Sequence, residues 1–278
     1  VTNTDRSISE AAGRRSTLAQ LWRQIIRIDA MNLVILIAVV LLIWSFISAT
    51  IANPARYLPS PMVVGLSSVD MIYKGLLPSY FGDTMIRLVL GSFIGIIVGI
   101  PFGLAVGLNR TVADMFYPIL NFFQSVSGIA LFPILVIWWG NSDTTVLAVI
   151  LYTAFFPIAF NVLSGVREVP IRFIQAARTL GASRWQIIKD VLVPGAMPHI
   201  ATGMRLSIGF GWRAVIAGEM LAGREGLGWM IFSAQDGDNT ARVILGMVMI
   251  GLTWIVLDHY VLRPFESETI ERWGLVQR

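Results

Sequence analysis

Three ionisable side chains interrupt the otherwise apolar stretch 200-IATGMRLSIGFGWRAVIAGEML-221: Arg205, Arg213 and Glu219. An ionisable group inside hydrocarbon is costly, so it must face protein, water or an opposite charge. Arg205 lies near one end, where a long side chain can reach polar surroundings. Arg213 lies in the middle. It can lend positive potential to a path for an anion, or it can hold a buried ion pair that fixes helix packing; the residues leave both open. Glu219 is six positions further on, at a different angle around a straight helix. The two are not expected to pair within the helix, while a pair across a dimer stays open. A second polar set stands in 121-NFFQSVSG-128, where Gln124, Ser127 and Gly128 share a helical face at i, i+3, i+4. Such a face suits a solvated path or bonding between membrane helices. Gln124, Ser127, Trp212, Arg213 and Glu219 together form the candidate translocation set.

Other chemistries are poorly supplied. The chain has no Cys, which excludes disulfides and thiolate chemistry. Its two histidines, His199 and His259, are too far apart in sequence to suggest a metal cluster. A solvated or capping role suits His199, and His259 belongs with Asp258 at the end of an apolar stretch. Ser164-Gly165 has no nearby His to activate it, which argues against a hydrolase. No G-x-x-x-x-G-K-[ST] occurs, and neither Lys74 nor Lys189 follows a Gly. The chain is therefore not its own P-loop ATPase, and no catalytic, cofactor-binding or metal-binding residue is assigned.

The elements that hold these residues are read from composition. Of 278 residues, 55% are hydrophobic and 14% charged, against about 25% charged in a soluble domain. Mean hydropathy is +0.71. A helix that crosses the hydrocarbon needs about 20 mostly apolar residues. Stretches of that kind run over 31–51, 84–108, 115–139, 144–163, 200–221 and 243–262, which predicts an all-α, six-span membrane protein. The first has an apolar run longer than a signal peptide's and about thirty residues ahead of it; a retained anchor is expected. The net charge of +4 reads as topology rather than nucleic-acid binding, because no aromatic-interleaved basic patch accompanies it. With the N-terminus inside, the cytoplasmic side holds Arg6, Arg14, Arg15, Arg23, Arg27, Arg110, Arg167, Arg172, Arg178, Arg184, Lys189, Arg263, Arg272 and Arg278. The other side holds Arg56, Lys74, Arg87, Arg224 and Arg242. The positive-inside rule then puts both termini in the cytoplasm. The expected layout is a cytoplasmic segment 1–30, a six-span region 31–262 and a cytoplasmic tail 263–278.

Within the second stretch, Gly91, Gly95, Gly99, Gly103 and Gly107 recur every fourth residue. On a 3.6-residue helix they drift by about 40° each time and form a slanted groove. Close packing of another span into this groove is favoured over a pore-lining role. Pro101 is expected to kink the helix.

The fourth and fifth stretches are separated by a polar segment, 175-QAARTLGASRWQIIKDVLVP-194. Pro170 suits the first turn of a helix, Gly181 is placed to end it as a left-handed cap, and Ser183 with Gln186 reads as a capping box for a second short helix. Pro194 should limit that second helix. Ile171, Ile174 and Ala177 share one face, as do Trp185, Ile188 and Leu192. Helices this short need something to pack against. A stiffened loop is one reading and a docking surface for a cytoplasmic partner is the favoured one.

This segment resembles the EAA loop of permease subunits of binding-protein-dependent ABC importers. Gln175-Ala176-Ala177 stands in place of Glu-Ala-Ala, Gly181 follows after three residues, and Val191-Leu192-Val193-Pro194 follows after nine. Gln for Glu removes one charge. The resemblance makes Gln175, Ala176, Ala177, Arg178, Leu180, Gly181, Ala182, Ser183 and Trp185 the coupling residues that sit in a groove of an ATPase subunit, within a coupling loop spanning about 164–199. The stretches 57-YLPSPMVV-64, 218-GEMLAGREGLGWMI-231 and 266-ESETIERWGLVQR-278 are similar to the nitrate, sulfonate, taurine and bicarbonate importers. What the resemblance implies is a type I importer permease of the bacterial inner (plasma) membrane, homodimeric. It would work with two cytoplasmic ATPases that bind ATP and Mg and with an extracytoplasmic binding protein, and it would import a small anionic or zwitterionic solute. A secondary transporter or channel is the alternative; it leaves the cytoplasmic helix pair without a partner and lacks paired half-helix repeats.

Overall fold

The computed structural model describes residues 30–272, with the side chains of 30, 31, 33 and 268–272 left aside. Most of the expected N-terminal segment and the end of the tail therefore lie outside the described residues. The chain divides into two compact units, one up to Met62 and one from Val63. Every described regular element is helical.

The first unit holds α1 (Ala30–Thr50), the short α2 (Pro54–Tyr57) and the start of α3 (Pro61–Tyr73). Its loop folds back on α1: Trp44 Nε1 donates to the Pro59 carbonyl at 3.1 Å and Ser48 Oγ to the Leu58 carbonyl at 2.7 Å. These bonds satisfy carbonyls of an irregular segment that has no helix of its own.

The second unit continues with α4 (Leu76–Gly107), α5 (Arg110–Ser125), a 3-10 turn (Gly128–Leu131), α6 (Phe132–Trp139) and α7 (Asp143–Glu168). Then come α8 (Ile171–Thr179), α9 (Arg184–Ile187), α10 (Val193–Ala222), α11 (Leu227–Asp236), α12 (Thr240–Leu257) and α13 (Arg263–Arg272). Among the described residues, α4, α7 and the run Thr240–Ser267 are long and apolar enough to cross a membrane, and α5 with the turn and α6 makes a fourth candidate. That fourth candidate was expected as one span over 115–139. It is instead bent by 83°. Val126 is extended, so the α5 ladder stops there. Pro133, which has no N–H to give, sits in the first turn of α6. The α1 stretch contributes a shorter apolar helix, Val34–Thr50. The 30-residue α10 is long enough, but Arg205, Arg213 and Glu219 dilute its apolarity.

The core is arranged around α7, whose residues enter three separate buried clusters. One joins Val149 and Ile150 to Leu88, Phe132, Trp212 and Val215. A second joins Leu163 to Val106 and Leu120. A third joins Ile158, Val162 and Val166 to Ile187, Leu192 and Ile200. Half of the apolar stretch of α7 is buried, against 11% for the last span, so α7 is central and α12 peripheral.

The glycine groove of α4 packs on α7, as its spacing predicts. A Cβ on Gly91 would lie 2.6 Å from Ile150 Cγ2, and one on Gly103 would lie 2.6 Å from the Ala159 carbonyl oxygen. Gly95, Gly99 and Gly107 meet Ala154, Ile158 and Val166 in the same way. Removing the side chain from one helix lets the other approach to backbone distance, where dispersion contacts add up without a competing hydrophobic force in lipid. The α4 helix runs on through Pro101 as one element.

Candidate translocation site and coupling segment

The polar segment after α7 folds as helix, turn, helix. The α8 helix ends in a Schellman motif: the Ala182 N–H reaches the Ala177 carbonyl at 3.0 Å and the Gly181 N–H the Arg178 carbonyl at 3.0 Å. Gly181 sits at φ +82°, a conformation an L side chain rarely takes. Both arms of the capping box are made: the Gln186 N–H donates to Ser183 Oγ at 3.3 Å and the Ser183 N–H to Gln186 Oε1 at 2.7 Å. Pro194, expected to limit the second helix, does not end it. A π turn, Ile188–Leu192, follows α9 and leads directly into α10, with the Val193 N–H reaching back to the Ile188 carbonyl. The wider turn moves the preceding carbonyls out of the way of the proline ring, so the helix passes through where an α register would clash. The same device recurs before Pro264, where the π turn Asp258–Leu262 joins α12 to α13.

The two faces of the segment differ. Ile174, Ala177, Ala182, Ile187, Ile188 and Leu192 pack towards Val162, Val166 and Ile200. Ile171 and Trp185, expected to share apolar faces with Ile174 and Ala177 and with Ile188 and Leu192, are separated from them and are 63% and 70% exposed, alongside Phe173 and Leu180 at 51% and 88%. Ile171 stands at the first position of α8 and Trp185 in the first turn of α9, at the ends of short helices that the bundle covers only further along. Gln175 and Arg178 are also exposed. The result is a polar segment docked on the helix bundle by one side and presenting an apolar tip on the other.

The candidate translocation residues separate. Gln124, Ser127 and Arg213 line one mostly apolar cavity of about 300 Å3, together with Phe123, Tyr152, Thr153, Phe156 and Phe210. The break between α5 and α6 makes room for it, because the chain turns away there and Gly128 lets it lie against Thr153. Trp212 is buried and stacks on Trp254 with ring centroids 6.5 Å apart. Glu219 is fully buried elsewhere. Its carboxylate accepts from Arg87 Nη1 at 2.8 Å, from Thr84 Oγ1 at 2.9 Å and from the Gly228 N–H at 3.0 Å. Arg87 also donates to Asp143 Oδ1 and to the Glu225 carbonyl, so it ties α4, α7 and the loop before α11 to α10. A Cβ at Gly226, which has φ +108°, would run into that carboxylate.

By sequence, Arg87 stands only at the outer edge of a span. The available signal was its position three residues inside an apolar stretch, where an unpaired guanidinium is costly. Arg205 also does more than reach for polar surroundings: it pairs with Asp258 at 2.8 Å and Glu266 at 2.6 Å, and Asp258 pairs in turn with Arg263 at 2.8 Å. His199 Nε2 lies 3.0 Å from Glu168 Oε2. Among the described residues no three His, Cys, Asp or Glu side chains are grouped as a metal site.

A bundle of apolar helices around a central one, with charges paired in its interior and a polar helix pair docked on it, is the architecture of an integral membrane protein. A chain of the inward-facing MetNI methionine ABC transporter has the same fold, with a TM-score of 0.52 and 20% identity over 68% of this chain and 95% of that one. The family described as binding-protein-dependent transport system inner membrane component matches residues 91–262. The chain belongs to that family, the inner-membrane permeases of ABC importers. The taurine transport system permease protein TauC of Escherichia coli is 33% identical over 80% of this chain and 82% of its own length. The bicarbonate transport system permease protein CmpB of Synechococcus elongatus is 31% identical over 95% of both. The nitrate import permease protein NrtB of Synechocystis is 28% identical over 81% and 84%.

Proposed function

We propose that the chain is the membrane-spanning half of an importer that moves a small anionic or zwitterionic solute into the cytoplasm. Taurine or another sulfonate, nitrate and bicarbonate are the candidates that its relatives' names supply. In this reading six helices span the bilayer, both termini and the segment around 164–199 are cytoplasmic, and two copies pair. Two separate ATPase subunits hold the ATP and Mg, and an extracytoplasmic binding protein delivers the solute.

The observation that supports it best is continuity. The exposed tip bearing Leu180 and Trp185 runs through a π turn into α10, which carries Arg213 to the wall of the cavity. From Val193 to Arg213 is about 30 Å at 1.5 Å per residue. A displacement of the tip therefore has a rigid, packed route to the cavity wall. For ATP to drive the cycle, the ATPases must bind one permease state more tightly than the other; the tip is where that difference would act.

The test is reconstitution of the chain with its ATPase subunits and binding protein in liposomes. ATP-dependent accumulation of taurine or nitrate supports the reading. Accumulation driven by an ion gradient without ATP would instead make the chain a secondary transporter.

A further inference from the structure

Three arginines stand on the long helices α4 and α10, and the fold treats one of them differently: Arg87 is buried and Arg205 half-buried, while Arg213 is exposed on the single chain. Arg87 is matched by Glu219 and Asp143, and Arg205 by Asp258 and Glu266. Arg213 has no carboxylate within ion-pair distance among the described residues; its contact is the Phe210 ring, 5.7 Å from guanidinium carbon to centroid. Glu219, the acid closest to it along α10, is fully buried and already holds Arg87. It is thus removed as a partner for Arg213, within a chain or between two copies. A ring against the guanidinium face leaves the N–H edge free, and that edge is what grips an oxyanion in parallel hydrogen bonds.

The rest of the cavity supplies complementary groups. Tyr152 and Thr153 are already spent, their hydroxyls donating to the Phe123 carbonyl at 2.7 Å and the Val149 carbonyl at 2.9 Å. Gln124 is not: its Oε1 is buried with no hydrogen-bond partner. Burying such an amide oxygen unmatched is unfavourable, so it is open to a donor, whether water or a group of a bound solute. Phe156 and Phe210 give apolar walls. At about 300 Å3 the cavity is at the small end of the range for organic ligands. The ring faces give a carbon body something to pack on, and a four-atom inorganic anion has no such body.

We infer that Arg213, with Gln124, forms a solute-selecting site inside the permease itself, built for a small organic oxyanion of the sulfonate class. The guanidinium edge takes the sulfonate oxygens, Phe156 and Phe210 take the carbon body, and Gln124 takes a polar group at the far end. This rests on the importer reading and goes further, because it gives the membrane subunit a discrimination of its own beyond that of any binding protein. One guanidinium without further charged partners keeps binding weak enough for release, as a transport path requires.

The test uses the purified permease–ATPase complex without a binding protein, titrated with taurine, 1-propanesulfonate and nitrate, with binding read from the shift in thermal stability. Saturable stabilisation by both sulfonates, with nitrate weaker by at least about tenfold, is expected. Arg213→Met should abolish the sulfonate response, Arg213→Lys should weaken it by about tenfold or more, and Gln124→Leu should weaken taurine more than 1-propanesulfonate. No sulfonate response in the wild type, or equal responses to nitrate and sulfonates, overturns the inference. If Arg213→Met does not assemble by size-exclusion chromatography, unchanged affinity in both Arg213→Lys and Gln124→Leu overturns it. ATP-dependent uptake by the wild-type complex is scored separately, so failure of the importer reading shows there and not in the titration.

Discussion

Arg87 Nη1 lies 2.8 Å from Glu219 Oε1, with Glu219 fully buried and the Arg87 side chain 9% exposed, across 132 positions of sequence. The pair is not left bare. Thr84 and the Gly228 N–H fill the second carboxylate oxygen, and the Leu227 N–H in turn donates to Thr84 Oγ1 at 2.8 Å. In such a site the large effect comes from breaking the pair, not from having it. Removing one partner strands a buried charge at a cost of about 3–5 kcal/mol. Arg87→Met and Glu219→Leu should each lower the thermal stability of the purified complex sharply, and the double variant should recover part of that loss. Losses that simply add would show that the two residues act independently.

The cluster at the other end of α10 should behave differently. The Arg205 side chain is 34% exposed and that of Asp258 13%, so solvent screens much of their attraction. Exposed pairs contribute about 0–1 kcal/mol. Glu266→Gln should therefore cost about 1 kcal/mol or less. Asp258→Asn, which weakens the hold on both Arg205 and Arg263, should cost more than Glu266→Gln. Denaturation at low and high salt separates the cases: salt should erase the Glu266 effect and leave most of the Arg87–Glu219 effect.

Substitution of glycine by alanine in α4 should have opposite signs at two positions of one helix. At Gly103 the new methyl meets the Ala159 backbone oxygen, which cannot move aside, and overpacking costs about 1–3 kcal/mol. At Gly82 nothing lies within 4 Å, and the helix gains about 0.5–1 kcal/mol from the lower backbone entropy of alanine. Paired thermal melts of Gly103→Ala and Gly82→Ala check this directly. Equal effects would mean that α4 and α7 do not meet along the groove.

Gly181→Val places a branched side chain at φ +82°. The left-handed conformation costs an L residue roughly 1–2 kcal/mol, so the Schellman turn should shift rather than the whole bundle unfold. The expected outcome is ATP hydrolysis that continues while uptake falls, measured in the same proteoliposomes. Tightly coupled uptake in that variant would count against the segment's role. Trp185→Ala and Leu180→Ala remove exposed tip side chains that no buried cluster includes. Both should weaken co-purification of the ATPase without lowering the thermal stability of the isolated permease.

The sequence alone determined the helical class, because long apolar runs can satisfy their backbone in lipid only as helices. It also determined the local features whose partners lie within a few residues. The left-handed Gly181, the Ser183–Gln186 box and the glycine groove of α4 all follow from steric and hydrogen-bonding rules that act over one or two turns, and the spacing of Gln175, Gly181 and Pro194 was enough to suggest a family. What required the tertiary structure was every relationship set by long-range packing. Pro194 looked like a stop because the i→i−4 register forbids it, and only the observed π turn shows how the helix passes through. Arg213 and Glu219, six positions apart on one helix, point to different sides of it, and the sequence leaves open a pair across two copies. Packing gives Glu219 to Arg87 from a distant span and leaves Arg213 at a cavity wall with Gln124. Charge types and positions can be read along a chain, but which charge neutralises which depends on distances of a few ångströms between helices, and those distances exist only once the helices have packed.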